Sequence, residues 1–199
     1  MHGRATALGA GTVLNALATA TGSAFAIDAE TTASVELDDS GDVRGSIAAA
    51  PDADTRLIEH CVELAVEAFG DGEGGTVETE SDLPMAAGLK SSSAAANATV
   101  LATLSALGRS VGPGPDADIS RLDACRMGVR AAREVGVTAT GAFDDAAASM
   151  VGGVVVTDKA EFEFLLQQSA RDGDRYGASG ARWPLVIETN GDTNAADTG

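Results

Sequence analysis

Apolar and polar residues alternate with period two from Ser23 to Leu37, which predicts two strands with Phe25, Ile27, Val35 and Leu37 turned inward. Gly3 to Leu8 reads as a short strand before Gly9-Ala10-Gly11, and Thr12 to Ala18 as a small helical segment. After the polar turn Asp38 to Asp42, Val43 to Ile47 continues the sheet. The period then changes to helical. Over Asp54 to Phe69, Leu57, Ile58, Cys61, Leu64, Ala65 and Ala68 share one face, with Arg56, Glu59, Glu63 and Glu67 outside it. Thr76 to Glu80 reads as a strand and Ala94 to Leu107 as a helix. Beyond the turn Gly112-Pro113-Gly114-Pro115, a helix is predicted over Ala117 to Val135, with Ile119, Leu122, Cys125 or Arg126, Val129 and Ala132 at helical spacing. A strand over Gly152 to Thr157 and a helix from Ala160 to Gln168 complete the periodic part. From Arg171 to Gly199 the chain is polar and aperiodic, a predicted disordered tail with at most a strand at Pro184 to Glu188. Strands mixed with helices, several at hairpin-like spacing, give an α+β fold rather than a doubly wound parallel sheet.

Composition narrows the function. The 199 residues carry 30 Asp and Glu against 13 Lys and Arg, a formal net charge of −17. Such a surface repels nucleic acid and anionic lipid, so neither is an expected partner. Acidity spread along the whole chain, with lysine only at Lys90 and Lys159, suits a cytoplasm at high salt, where screening relieves self-repulsion. No apolar run reaches the length of a membrane span. Ser23-Ala24-Phe25-Ala26 imitates a signal-peptide cleavage site, but Ala5 to Thr21 is interrupted by Gly, Thr and Asn, so no signal peptide is expected. Cys61 and Cys125 read as small buried residues in a reducing cytoplasm, and His2 and His60 offer no zinc constellation.

The candidate chemistry begins at Leu83-Pro84-Met85-Ala86-Ala87-Gly88-Leu89-Lys90-Ser91-Ser92-Ser93-Ala94. Pro84 stiffens the entry and Gly88 permits a backbone closed to other residues. The three serines fall at the N-cap and first turn of the following helix. Free N–H groups and hydroxyls there, at the positive end of the helix dipole, bind phosphate. Leu89 between Gly88 and Lys90 rules out a Walker A loop. The pattern P-x-x-x-G-L-x-S-S-S-A resembles the ATP-binding loop of the GHMP kinases.

A second constellation, Thr140-Gly141-Ala142-Phe143-Asp144-Asp145-Ala146, precedes the Gly152-Gly153 strand. Two carboxylates among small apolar residues are costly near a core unless they have a task, and a kinase needs one to accept the proton of the acceptor alcohol. The element resembles the G-x-x-D-[NQ] motif of GHMP kinases. Within that superfamily the whole set resembles the archaeal-type shikimate kinases, including Gly3-Arg4-Ala5, Gly9 to Leu17, Gly22 to Asp28 and Gly88 to Asn97.

The resemblance covers roughly Met1 to Lys159. It implies the GHMP kinase N-terminal domain (ribosomal protein S5 domain 2-like), with residues 1–159 as the ATP-binding unit. It also implies transfer of the ATP γ-phosphoryl group to the 3-hydroxyl of shikimate. Leu83, Pro84, Met85, Ala86, Ala87, Gly88, Leu89, Lys90, Ser91, Ser92 and Ser93 then bind ATP, Ser92 also holds Mg²⁺, and Asp144 is the base. Arg4, Asn15 and Asp28 face the shikimate. GHMP kinases also carry a ferredoxin-like C-terminal domain with a further glycine-rich motif. The expectation is that this domain is largely missing, with residues 160–199 only its start and a divergent tail.

Overall fold

A computed structural model describes residues 1–16, 21–48, 50–83, 88–138, 143–158, 163–168 and 185–186. The elements are β1 (His2–Leu14), β2 (Thr21–Asp38), β3 (Val43–Ile47), α1 (Arg56–Phe69), β4 (Gly74–Ser81), α2 (Ser91–Ala106), α3 (Arg121–Glu134), α4 (Phe143–Val151), β5 (Val154–Asp158), β6 (Glu163–Gln168) and β7 (Leu185–Val186). β2 is the axis of the sheet. One edge pairs antiparallel with β1 along most of its length. The other pairs with β5 over Thr21–Phe25 and with β4 over Thr31–Asp38. Every strand pair is antiparallel except β3 with β4, which agrees with the α+β expectation.

Helices cover one face of the sheet. Ala7, Ala33, Val35, Leu37 and Val77 pack against Ile58, Val62 and Val66 of α1 and Ala98, Ala102 and Ala106 of α2. A second cluster joins all four helices to Ala10, Ala24 and Val155. α2 is the central helix, and its small residues let it lie almost directly on β1. A Cβ on Gly3 would come within 1.9 Å of the Ala102 carbonyl oxygen. His60 ties α1 to α3, one ring nitrogen facing Glu63 at 2.8 Å and the other Glu134 at 2.6 Å.

Several predicted elements change. β1 runs on as a strand to Leu14, where the sequence predicts a helix from Thr12. Its continuation pairs Gly11 with Phe25 and Thr12 with Ala24. Phe25 consequently faces outward, 40% exposed, with its ring over Gly11. The two strands predicted over Ser23–Leu37 are one strand, and an irregularity opposite Leu8/Ala10 marks where the period slips. On α1, Ala68 is exposed, while Val62 and Val66 complete the buried face.

α3 starts only at Arg121, because Ser120 caps it by accepting from the Asp123 N–H. Ile119 instead bridges to Val111. The helix predicted from Ala160 to Gln168 contains β6, paired antiparallel with β5. Glu161-Phe162-Glu163-Phe164 has a period of two, and ladder pairing outweighs the helical reading. β7 falls in the strand predicted at Pro184–Glu188. The remaining tail, residues 169–184 and 187–199, lies outside the described residues.

Acidic side chains crowd the open face of the sheet, where Glu36, Glu78 and Glu80 are exposed on neighbouring strands. With a net charge of −17, repulsion across such faces is strong until salt shortens the Debye length to about 3 Å near 1 M. The melting midpoint in molar KCl is therefore expected to lie well above that in dilute buffer. Thermal melts followed by circular dichroism across a KCl series measure it, and a midpoint indifferent to salt would remove this reading.

Candidate functional site

The first turn of α2 is built by a backbone reversal. Gly88 has φ +75° and Lys90, at the N-cap, φ +56° and ψ +37°. Lys90 is the one non-glycine residue with positive φ among those described. Holding a lysine in the left-handed region costs on the order of 1–2 kcal/mol, a strain found mostly at functional sites. The conformation has a clear consequence. It places the Leu89 carbonyl against the Ala10 N–H at 3.1 Å and starts the helix at Ser91. All three serines therefore lie in the first turn, and Lys90 rather than a serine occupies the N-cap. The first helical bond at this end runs from the Ala94 N–H to the Lys90 carbonyl, so the N–H groups of Ser91, Ser92 and Ser93 have no intrahelical acceptor. Pro84, Met85, Ala86 and Ala87 lie outside the described residues.

Lys90 turns back across the site. Its Nζ lies 2.7 Å from Asp145 Oδ2, and Asp145 Oδ1 accepts from the Thr12 hydroxyl at 2.7 Å. One carboxylate thereby joins the loop, the end of β1 and the first turn of α4. Asp144 is differently placed. It is 1% exposed, and its Oδ1 has no hydrogen-bond partner. Burial pushes its carboxyl above the ordinary aspartate range, and the neighbouring Asp145 charge adds to the rise; backbone N–H groups and Lys90 act the other way. β2 passes so close that a Cβ on Gly22 would sit 2.7 Å from the Asp144 carboxyl carbon.

These groups line a cavity of about 270 Å³ together with Asn15, Ser92, Ser93 and Asn97, and Gly128, Val129 and Ala132 of α3 and Val137 line it as well. The structure brings Lys90, Ser92, Asp144 and Asn15 together. It does not bring Arg4 or Asp28 to the cavity. Arg4 is exposed near the start of β1, opposite Ser34. That is roughly 25 Å along the strand from Thr12 at about 3.3 Å per residue. Asp28 is exposed on β2 beside the irregularity in the ladder. Leu83 is buried and would contact any side chain at Gly9, so it supports the loop from beneath. Thr12, Gly22 and Asn97 fall within the stretches that carry the resemblance, but their roles, like that of Gly128 and the pairing of Asp145, are not legible there, because packing across elements defines those roles. Thr140, Gly141 and Ala142 lie outside the described residues.

The donor set suits Mg²⁺. Serine hydroxyls and two adjacent carboxylates are hard oxygen ligands. No group of three or more His, Cys, Asp or Glu that could hold a metal occurs among the described residues. A Mg²⁺ bound with phosphates needs only one or two carboxylates, so that count fits. No helix among the described residues is long and apolar enough to cross a membrane.

A largely antiparallel sheet covered by helices on one face thus carries a serine-bearing helix N-terminus beside a buried carboxylate. Residues 56–153 match the GHMP kinases N terminal domain, and the chain belongs to the GHMP kinase family. Among curated relatives it is 58% identical over 170 residues to the shikimate kinase of Halobacterium salinarum, covering 85% of this chain and 58% of that protein. It is 53% identical over 170 residues to the shikimate kinase of Methanosarcina acetivorans, covering 85% of this chain and 55% of that one. The chain thus spans somewhat over half the length of these relatives. The fold is also that of a mevalonate kinase (TM-score 0.59, 11% identity, 78% of this chain and 53% of the other). A homoserine kinase from Cytophaga hutchinsonii shares it as well (TM-score 0.59, 16% identity, 80% and 49%).

Proposed function

We propose that this chain carries the ATP-binding unit, residues 1–159, of a cytoplasmic shikimate kinase. The reaction moves the γ-phosphoryl group of ATP to the 3-hydroxyl of shikimate, in the biosynthesis of aromatic amino acids. The observation that carries the kinase reading is the buried Asp144 carboxylate, one oxygen unpartnered, in the same cavity as the first turn of α2. The acceptor is argued from relatives at 53–58% identity that are named shikimate kinases. Residues 160–199 are read as the start of a second unit.

Each group has a task. The N–H groups and hydroxyls of Ser91, Ser92 and Ser93 take the place of water around the phosphates at the positive end of α2. The residues of the loop from Leu83 to Lys90 shape that cradle. Lys90 supplies positive charge and is held in reach by Asp145. Ser92 would hold Mg²⁺, which when bound neutralises phosphate charge. Asp144 accepts the proton of the shikimate 3-hydroxyl as its oxygen bonds to the γ-phosphorus and ADP leaves. A pKa raised toward working pH makes it a better base than an exposed aspartate. Asn15 faces the acceptor from the end of β1.

ADP release in molar KCl with shikimate, homoserine or mevalonate as acceptor tests the assignment. Shikimate-dependent release is expected, and a preference for either other alcohol would replace the acceptor. Titration of Mg·ATP tests the cradle separately. Ser92→Ala and Lys90→Ala are each expected to weaken nucleotide binding about tenfold or more, the usual loss for a charge-assisted contact. Unchanged affinity in both would sink the loop assignment.

A further inference from the structure

Asn97 has a polar atom that neither the loop nor the carboxylates employ. It lies in the second turn of α2, is 1% exposed, and its Nδ2 donates to the Ala146 carbonyl of α4 at 2.8 Å. That bond fixes which way the amide faces, because only the nitrogen end can donate to a carbonyl. Oδ1 consequently points away from that bond and has no hydrogen-bond partner, in a side chain that lines the cavity. A buried amide oxygen without a donor is costly, and folded proteins keep one where a ligand or water completes it. Gly128 of α3 lies beside this oxygen, and a Cβ there would be in ordinary contact with Oδ1 at 3.4 Å.

The partner must be a donor. Phosphate oxygens only accept, so they are excluded from this position. Asp144, two residues before Ala146 on the turn that Asn97 holds, offers a second unpartnered oxygen to the same cavity. We infer that Asn97 Oδ1 accepts a hydrogen bond from a second hydroxyl of the phosphoryl acceptor, so that the cavity selects a polyol over a molecule with a single alcohol. This rests on the shikimate kinase reading above.

Calorimetric titration of the full chain in molar KCl, with Mg²⁺ and a non-hydrolysable ATP analogue, tests it with shikimate and its monodeoxy analogues. Asn97→Ala is expected to raise the shikimate Kd about ten- to hundredfold. With the one analogue lacking the hydroxyl that faces Oδ1, the variant and the parent should bind equally. Gly128→Ala supplies a variant that folds, because Ala is the better helix residue and its Cβ meets only ordinary contacts. It should crowd Oδ1 and weaken shikimate without lowering Tm or nucleotide affinity.

A fall in Tm for Asn97→Ala with all analogue ratios unchanged would make Asn97 a bracket between helices and overturn the inference alone. Loss of nucleotide binding in place of shikimate binding would also overturn it, giving Oδ1 to a ribose or adenine donor. Absence of shikimate binding by the parent chain would overturn both this inference and the acceptor assignment.

Discussion

Replacing Asp144 by Asn is expected to lower turnover by roughly two to four orders of magnitude, with Mg·ATP affinity little changed and the fold at least as stable. The two halves of that expectation share one cause. Burial and the Asp145 charge raise the Asp144 pKa above 3.8, so the folded state binds its proton more tightly than the unfolded chain does. By linkage this group's contribution to stability falls as pH rises from 3.8 through the raised value, and above it the anion costs the fold free energy. A neutral Asn of the same shape removes that cost along with the base. Melting midpoints measured from pH 4 to 7 should therefore fall less steeply in the variant, while ADP release collapses. The parent's rate should decline as pH drops through the raised pKa. If Asp144 merely capped α4, the variant would lose stability and nucleotide binding together with rate.

Asp145 behaves differently although it is the next residue. Its two oxygens are engaged by Lys90 and Thr12, so it spans three elements where Asp144 spans none. An identical pair of side chains in sequence is split by one helical step. That step sends one carboxylate toward β2 and the other toward the loop. Adjacent carboxylates pushed into unlike surroundings acquire unlike roles, one a base and the other a brace.

What the sequence discloses follows from how far apart the determinants lie. The serine run, Gly88 and the Asp pair are local patterns whose chemistry is readable without a fold. β3 is likewise legible because the polar turn Asp38 to Asp42 sets off its five residues from β2. The misread segments are those settled by a distant partner. Thr12 to Leu14 become strand because Ser23 to Phe25 offer a ladder, and Glu163 to Gln168 because β5 does. Of the cavity wall on α3, Val129 and Ala132 are readable as part of a helix face, and Gly128 is not. Nothing local indicates that this face lines a cavity as well as packing into the core. Arg4 fails as a cavity residue for the same reason: its place in the sequence is near Asn15, but an extended strand carries it to the other end of the sheet.

Gly22→Ala is expected to lower turnover about a hundredfold without removing any polar group of the site. The added Cβ would lie 2.7 Å from both the Asp144 carboxyl carbon and its Oδ2, so one of the two must move. The β2 backbone cannot yield easily, since Gly22 is opposite Thr157 in the ladder with β5. α4 is pinned as well, through Ala146 by Asn97 and through Asp145 by Lys90 and Thr12. The Asp144 side chain is therefore what rotates. Displacement by about 1 Å is enough to cost two orders of magnitude when a base must meet a fixed hydroxyl. Stability should change little, because Ala suits a strand better than Gly and offsets part of the crowding. Nucleotide affinity should hold, the loop being untouched. The combination with Asp144→Asn decides the route of the effect. If Gly22 acts only through that carboxylate, the double variant should be no slower than Asp144→Asn alone. Additive losses would mean that the glycine serves the substrate directly, by leaving it space.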